Sequence, residues 1–355
     1  MGQGIKRRQP AMTVGLDLGD RHSQYCVVDA HSEWVEEGRI ASTEAGLRRQ
    51  FEGEAPVRIA LEAGTHSAWV SRLLRGLGHE VIVANPRRLK AITSSESKND
   101  RNDAEKLARL AACDPKLLSP IQHRTADRQQ DLNLIHARSS LVRARTMLIN
   151  TLRGLVKSAG HRLPACSSES FPAKARAAVP EPLRQACAPL LDQIAHLNQS
   201  LRQFDTDIAA LDTKYPEIKP LRSVPGVGPL VAACYVLTLD PTHLQDNRQA
   251  GAFLGLRPRQ SQSGASDPQG RITRTGNNYL RSLLVQSAQY VLGRFGPDSA
   301  LRRWGLKLAA SGGKRGKKRA IVAVARKLAV LLHSLWKTGK TFQPFPQGCP
   351  APAEN

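Results

Sequence analysis

A mixed α/β domain followed by helical segments is the architecture this sequence predicts. Three features point to it. Short apolar runs bounded by turn residues alternate with helix-spaced segments over the first third of the chain. Residues 127 to about 158 then carry one uninterrupted helical pattern rich in Arg and Leu. From Leu221 onward, helices of small apolar residues are broken by glycine turns. The 355 residues allow about two domains at roughly 150 residues each, and 41 % hydrophobic residues suffice to bury real cores.

The elements follow in order. Thr13 to Leu18 is a first strand ending in turn residues. Gln24 to Val28 and Trp34 to Ile40 follow after short polar links, which suits an antiparallel meander. Thr43 can cap a helix through about Phe51, with Leu47 and Phe51 at i and i+4. Val57 to Leu61 is the fourth strand. A helix from about Ser67 to Leu77 stops at Gly78, and Glu80 to Ala84 is a fifth strand stopped by Asn85-Pro86. A further helix starts near Asp100 and carries Leu107, Leu110 and Ala111. The order is β-β-β-α-β-α-β-α, assigned to a domain spanning 10–125.

Residues 126–215 form the helical middle. Between Leu132 and Ser168 there is no acidic residue, yet Arg138, Arg143, Arg145, Arg153, Lys157 and Arg162 are present. A basic face without acids suits phosphate contact. Leu163 to Pro182, rich in Ser, Pro and Ala, reads as a loop. A second helix runs from Leu190 to about Asp212, with Pro189 at its start. Its apolar residues (Leu190, Ile194, Leu197, Leu201, Ile208) approximate a heptad, which makes either a coiled-coil arm or an ordinary helical hairpin.

Residues 216–342 form a mainly helical C-terminal domain, with 343–355 as a flexible tail. Pro225-Gly226-Val227-Gly228 resembles a helix-hairpin-helix turn, whose glycines let backbone N–H groups approach a phosphate; a packing turn is the alternative. A Gly/Ser/Gln-rich loop spans Arg257 to Gly270, and a helix runs from near Asn277 to Leu292. Leu301 to Lys340 holds twelve Lys and Arg and no acid; its candidate phosphate contacts are Lys314, Arg315, Lys317, Lys318 and Arg319.

The charge narrows the function classes. With 52 Lys+Arg against 30 Asp+Glu, the formal net charge is +22, which points to a polyanion, nucleic acid first. No run of about 18 apolar residues exists, which excludes a membrane span, and no secretory signal is present. The six cysteines are scattered with no CxxC pair, so neither a zinc ribbon nor a disulfide framework is expected, and a reducing, cytoplasmic compartment fits.

Four acids stand out. Asp17 lies in the first strand, where an unpaired charge costs several kcal/mol. Glu62 ends the fourth strand. Asp100 and Asp103, three apart at a helix start, share a face. Each alone has an ordinary explanation as a turn or capping residue. Together on this element order they match the ribonuclease H-like fold, in which such carboxylates hold divalent ions for phosphoryl transfer.

The chain resembles the DEDD-type transposases of the insertion-sequence-110 family. The stretches that carry the resemblance are Val14-Gly15-Leu16-Asp17, Ala60 to His66, Val83-Ala84-Asn85-Pro86 and Lys98 to Ala104. The last fits the family's Lys-x-Asp-x-x-Asp-Ala pattern. The resemblance implies a Holliday-junction-resolvase-like catalytic domain whose acidic tetrad is Asp17, Glu62, Asp100 and Asp103, binding Mg²⁺ or Mn²⁺.

Gly251 to Pro258, Ser263-Gly264 and Gly270 to Asn277 resemble the family's C-terminal transposase domain. The resemblance implies that Ser263 is the nucleophile and becomes joined to DNA as a phosphoserine, with Ser261 as the alternative. A free serine hydroxyl needs activation, and its neighbours Arg257, Arg259, Arg271, Arg274 and Arg281 are suited to phosphate.

The resemblance further implies donor and target DNA as substrates, a structured guide (bridge) RNA, and a dimer assembling to a tetramer on DNA, at the bacterial nucleoid. If base pairing reads the sequence, the protein need only grip backbones, and a content of 5 % aromatic residues fits that. Two alternatives stand beside the transposase reading. One is a metal-dependent junction nuclease that uses water, and the other is a nonenzymatic nucleic-acid-binding protein.

Overall fold

The computed structural model describes residues 12–86, 100–239, 244, 246–260, 263, 270–311 and 313–346, with the backbone alone for Asp100 and Lys314. The chain divides into two compact units, Met1–Ala126 and Asp127–Asn355.

In the first unit the strands are β1 (Met12–Asp17), β2 (His22–Asp29), β3 (Trp34–Ala41), β4 (Arg58–Glu62) and β5 (Glu80–Ala84). The helices are α1 (Glu44–Phe51), α2 (Ser67–Gly76) and α3 (Asp100–Cys113). The five strands form one sheet in the order β3-β2-β1-β4-β5. The expected meander is present: β1, β2 and β3 pair antiparallel. β4 then pairs parallel with β1, and β5 parallel with β4. The expected cap is also present, since Thr43 Oγ1 accepts from the Gly46 N–H at 3.1 Å.

The two faces of the sheet are built from different residue sizes. Val14, Leu16, Ile59, Leu61, Val81 and Val83 pack against Leu47, Phe51, Val70 and Leu74 of α1 and α2. The opposite face is small: Gly15, Ala60 and Ala84 meet Ala104, Leu107, Ala108 and Ala111 of α3. A Cβ on Gly15 would lie 1.9 Å from the Ala104 carbonyl oxygen. Small residues on both partners therefore let α3 lie against the strands.

The second unit is helical. Its first long helices are α4 (Ala126–Ser158) and α6 (Arg184–Lys214). They run antiparallel, as successive polar rungs show. Lys214 Nζ and Tyr215 Oη donate to Asp131 at 2.7 and 2.6 Å. Arg138 Nε donates to Asp205 at 2.6 Å, and Arg145 Nη1 to Asn198 Oδ1 at 2.8 Å. Arg138 and Arg145 are one heptad apart, as are Asp205 and Asn198, so the pair is a hairpin with coiled-coil spacing. At the far end Ile149, Leu152 and Val156 pack with Cys187, Leu191 and Ile194.

Two sequence expectations change here. The stretch read as a loop contains a helix, α5 (Phe171–Ala178), which opens with Phe171-Pro172 and continues in alanine. Phe171 is buried in the hairpin core, and that burial overrides the loop-like composition. Helix α6 begins at Arg184 rather than Leu190, with Pro189 inside it. Pro189 is the sixth residue of the helix and removes one backbone hydrogen bond, a loss over which the packing of Cys187 and Leu191 prevails.

Among the described residues six further helices follow: α7 (Ile218–Arg222), α8 (Pro229–Thr238), α9 (Arg248–Phe253), α10 (Asn278–Leu292), α11 (Ala300–Ser311) and α12 (Gly316–Thr338). Helix α8 is buried almost all round. Its core also contains Leu132 and Ile135 of α4 and Ile208 and Leu211 of α6, so the base of the hairpin and the C-terminal helices share one core.

The basic run from Leu301 is not a loose tail. Ala320, Val324, Ala325, Leu328, Ala329 and Leu332 bury one face of α12, and the charges take the other. Residues 343–346 also depart from the flexible tail expected there. Pro344 accepts from the Ala300 N–H at 2.9 Å, and the Arg303 guanidinium lies over the Phe345 ring at 5.0 Å. Residues 347–355 lie outside the described residues. Among the described residues no helix is long and apolar enough to cross a membrane.

Candidate active site

The sheet register sets the geometry of the acids. Asp17 pairs with Gln24, and Gln24 pairs with Arg39. Leu16 pairs with Leu61, and Glu62 pairs with Ala84. One rung across the sheet therefore reads Arg39, Gln24, Asp17, Glu62, Ala84. Side chains alternate faces along a strand. Gly15 and Ala60 face α3, so Asp17 and Glu62, each two residues further, face the same way. Both carboxylates sit half-buried at the carboxyl ends of neighbouring parallel strands.

The direction of α3 brings its own acids toward this rung. Arg58, at the start of β4, donates to the Ala111 carbonyl near the end of α3 at 3.2 Å. Gly15 meets Ala104 and Ala108. The helix thus runs antiparallel to β1 and β4. Two strand residues advance about 6.6 Å, which equals roughly four helical residues. The level of Asp17 then falls between Asp100 and Asp103. Asp103 is half-buried, with Lys106 Nζ 3.7 Å from its carboxylate.

A hollow of about 410 Å³ opens beside the rung, lined by Asp17, Asp20, Glu62, Gly64, Thr65 and His66 among others. An adjoining hollow adds Arg21, His22, Gln24 and Arg39 to Asp17 and Asp20. Among the described residues no three His, Cys, Asp or Glu side chains stand close enough together to hold a metal ion, and the Asp100 side chain is not among them. The donors do suit a hard cation, because Mg²⁺ is commonly held by one or two carboxylates with waters and substrate phosphate completing its shell.

The segment after Glu62 is latched. The Ala63 N–H donates to the Ala84 carbonyl at 3.0 Å. Ser67 Oγ accepts from the Gly64 N–H at 2.9 Å and donates to the Gly64 carbonyl at 2.8 Å. His123 Nε2 lies 2.9 Å from the same hydroxyl. Burial, then Arg72, Arg75 and Arg124, hold the His123 imidazole below its ordinary pKa.

In the second unit Ser263 is exposed. The chain on either side of it forms a short antiparallel stem. Pro258 bridges Ile272, the Arg259 N–H donates to the Arg271 carbonyl, and the Thr273 N–H to the Arg257 carbonyl, both at 2.9 Å. Arg257, Arg259, Arg271 and Arg274 are exposed along this stem. Ser261 and Ser266 lie outside the described residues.

Several predicted nucleic-acid contacts have internal partners instead. Arg281 is buried, and it donates to the Leu254 and Thr275 carbonyls at 2.9 and 2.8 Å and to Asn278 at 2.7 Å. It ties together the base of the Ser263 stem. Arg138 and Arg145 hold the α4–α6 rungs. The acid-free run in sequence is thus compensated by Asp205 from the partner helix. Arg143 remains exposed, as do Arg315, Lys317, Lys318 and Arg319; the Lys314 side chain is outside the described residues. Gly226, with positive φ, lies against the Ser287 carbonyl, its built Cβ 3.0 Å away, so the turn at Pro225 to Gly228 packs against α10.

Sequence reasoning missed Asp20, His66 and Arg39. His66 belongs to the Ala60 to His66 stretch that carries Glu62. Arg39 carries no local signal, since only pairing across two strands brings it to the rung of Asp17.

Known proteins resemble the chain in both of its units. Residues 14–160 match the DEDD-type IS110 transposase family model, and residues 218–303 match the model described as "Transposase IS116/IS110/IS902 family". The "Probable family 20 transposase" of Pseudomonas aeruginosa is 30% identical over 287 residues, covering 79% of this chain and 83% of the relative. The "Transposase for insertion sequence element IS1111A" of Coxiella burnetii is 27% identical over 355 residues, covering 96% and 94%. The "Transposase for insertion sequence element IS1328" of Yersinia enterocolitica is 26% identical over 310 residues. Matched in both units and over nearly its whole length, the chain belongs to the IS110 family of transposases, enzymes that recombine DNA.

Proposed function

We propose that this transposase cuts and rejoins DNA strands through a covalent phosphoserine on Ser263, at an acidic site of ribonuclease H-like design formed by Asp17, Glu62, Asp100 and Asp103. The observation that carries the proposal is the shared rung and face of Asp17 and Glu62 opposite the start of α3. These carboxylates would hold Mg²⁺ or Mn²⁺, which when bound polarises the phosphate and lowers the cost of forming an alkoxide. Ser263 Oγ gives up its proton and forms a bond to phosphorus as one phosphodiester P–O bond breaks, the strand leaving as a hydroxyl that takes up a proton from solvent. In the reverse step such a strand hydroxyl attacks the phosphoserine, frees the serine and rejoins a strand.

The chain's own residues do the rest. Exposed Arg257, Arg259, Arg271 and Arg274 offer bidentate donors to phosphate beside the serine. Arg39, on the rung of Asp17, offers one beside the acids. Arg315, Lys317, Lys318 and Arg319 crowd the start of α12, where the helix dipole disfavours cations, so an anion there relieves the repulsion. Donor and target DNA, a bridge RNA that pairs with both, and a dimer assembling to a tetramer complete the proposal.

A denaturing gel tests it. With element-end DNA and the RNA transcribed beside the element, the wild-type protein should give a covalent protein–DNA adduct, and Ser263→Ala should give none. Cleavage retained by Ser263→Ala would favour hydrolysis by water instead.

A further inference from the structure

We propose that His66 donates a hydrogen bond from Nε2 to the phosphate undergoing transfer, and that its contact with Trp69 fixes the ring for this role. The inference rests on the acidic rung being the phosphoryl-transfer site. His66 lines the same hollow as Asp17 and Glu62. Its place is fixed by the start of α2, where its carbonyl accepts from the Val70 N–H at 3.1 Å and Ser67 latches the preceding turn.

The tautomer follows from hydrogen-bond inventory. Trp69 Nε1 lies 3.2 Å from His66 Nδ1. An indole N–H only donates, so Nδ1 must accept and the ring proton sits on Nε2. The two rings meet edge to face at 84°, their centroids 6.2 Å apart, which holds the imidazole plane. Nε2 points toward the exposed Asp20 carboxylate, but at 3.6 Å that is too long for a hydrogen bond. Among the described residues no acceptor lies within hydrogen-bond distance of Nε2, which leaves its N–H available to an incoming oxygen.

A hydrogen-bond donor complements the acids of this hollow. Three carboxylates, on Asp17, Asp20 and Glu62, line it. A preorganised N–H aimed at a phosphate oxygen stabilises charge that grows as the transfer proceeds.

Full-length protein, element-end DNA, the adjacent RNA and Mg²⁺ provide the assay, with single-turnover formation of the adduct as the rate. Removing one such donor should slow the reaction about a hundredfold in His66→Ala. His66→Gln should recover most of that loss, since its amide N–H reaches the Nε2 position but cannot act as a base. Asp17→Asn serves as the control. An active Asp17→Asn overturns the site itself. An inactive Asp17→Asn beside a fully active His66→Ala overturns the role of His66 alone. A His66→Gln as slow as His66→Ala overturns the donor assignment. Independently of activity, ¹⁵N NMR of the imidazole should report the Nε2–H tautomer in the wild-type protein, and the Nδ1–H form would overturn the proposal.

Discussion

The acidic rung and the Ser263 stem are held in different ways. Asp17 and Glu62 stand on adjacent strands in a fixed register, with α3 pressed onto Gly15. Their spacing is a property of the sheet, and no side chain needs to bend to create it. Ser263 lies between two paired segments, held by the Arg281 bonds to Leu254 and Thr275 and by the pairing of Arg257–Arg259 with Arg271–Thr273. The proposed metal site needs fixed donors, which a sheet end supplies. The proposed nucleophile, which must reach a phosphate and later release it, is anchored through the rigid base of its stem.

The comparison can be broken most sharply at the reacting groups. Ser263→Ala should abolish the covalent adduct while leaving the melting temperature unchanged, because its side chain is exposed. Asp17→Asn should lower adduct formation by about a thousandfold, again without unfolding, since Asn keeps the shape of the rung. Gly15→Val should act on both counts. Its Cβ would meet the Ala104 carbonyl at 1.9 Å, so α3 must move away from the sheet. Overpacking of this kind costs about 1–3 kcal/mol, and adduct formation should fall with it. A Gly15→Val protein of wild-type activity would break the link between α3 and the site.

Smaller effects separate structural arginines from exposed ones. Arg281→Ala leaves buried carbonyls at Leu254 and Thr275 without their donor, at about 1–3 kcal/mol for each. Denaturant melts should show that loss. Arg259→Ala should leave stability alone and instead reduce the slope of log affinity for DNA against log salt by about 0.9. If the two variants behaved alike, the division between clamp and grip would be wrong.

The smallest effect is on pH dependence. Burial holds the imidazoles of His123 and His333 below their ordinary pKa, helped by Arg72 for the first and by Lys337 for the second. The unfolded chain takes up protons at about 6.5, before the folded one does. Stability should therefore be full above that value and fall as pH drops through it toward the lowered folded values. Thermal melts from pH 7.5 to 5 should show the decline, and His123→Gln should flatten part of it.

Much of the first unit was legible because its signals are local. Thr43 caps α1, Gly78 follows α2, and every strand runs between turn residues. The acids were legible for the same reason: each sits at an element end, where a charge needs an explanation. The second unit was less legible. Phe171-Pro172 followed by alanines reads as linker until Phe171 finds the hairpin core. The arginines of α4 read as a uniform basic face, because Asp205 and Asn198 lie far away in the chain. Leu301 to Lys340 reads as a tail by charge, although every third or fourth residue of α12 is apolar and buried.

The sequence by itself determined the element order of the first unit, the family and the excess of positive charge, all of which depend on residues close in the chain. Only the tertiary structure decided which charges are available. Pairing across strands brought Arg39 to the rung of Asp17. Antiparallel packing joined Arg138 to Asp205, and folding of the stem base buried Arg281. A charge is spent or left free by partners distant in sequence, and those are fixed only when the chain packs.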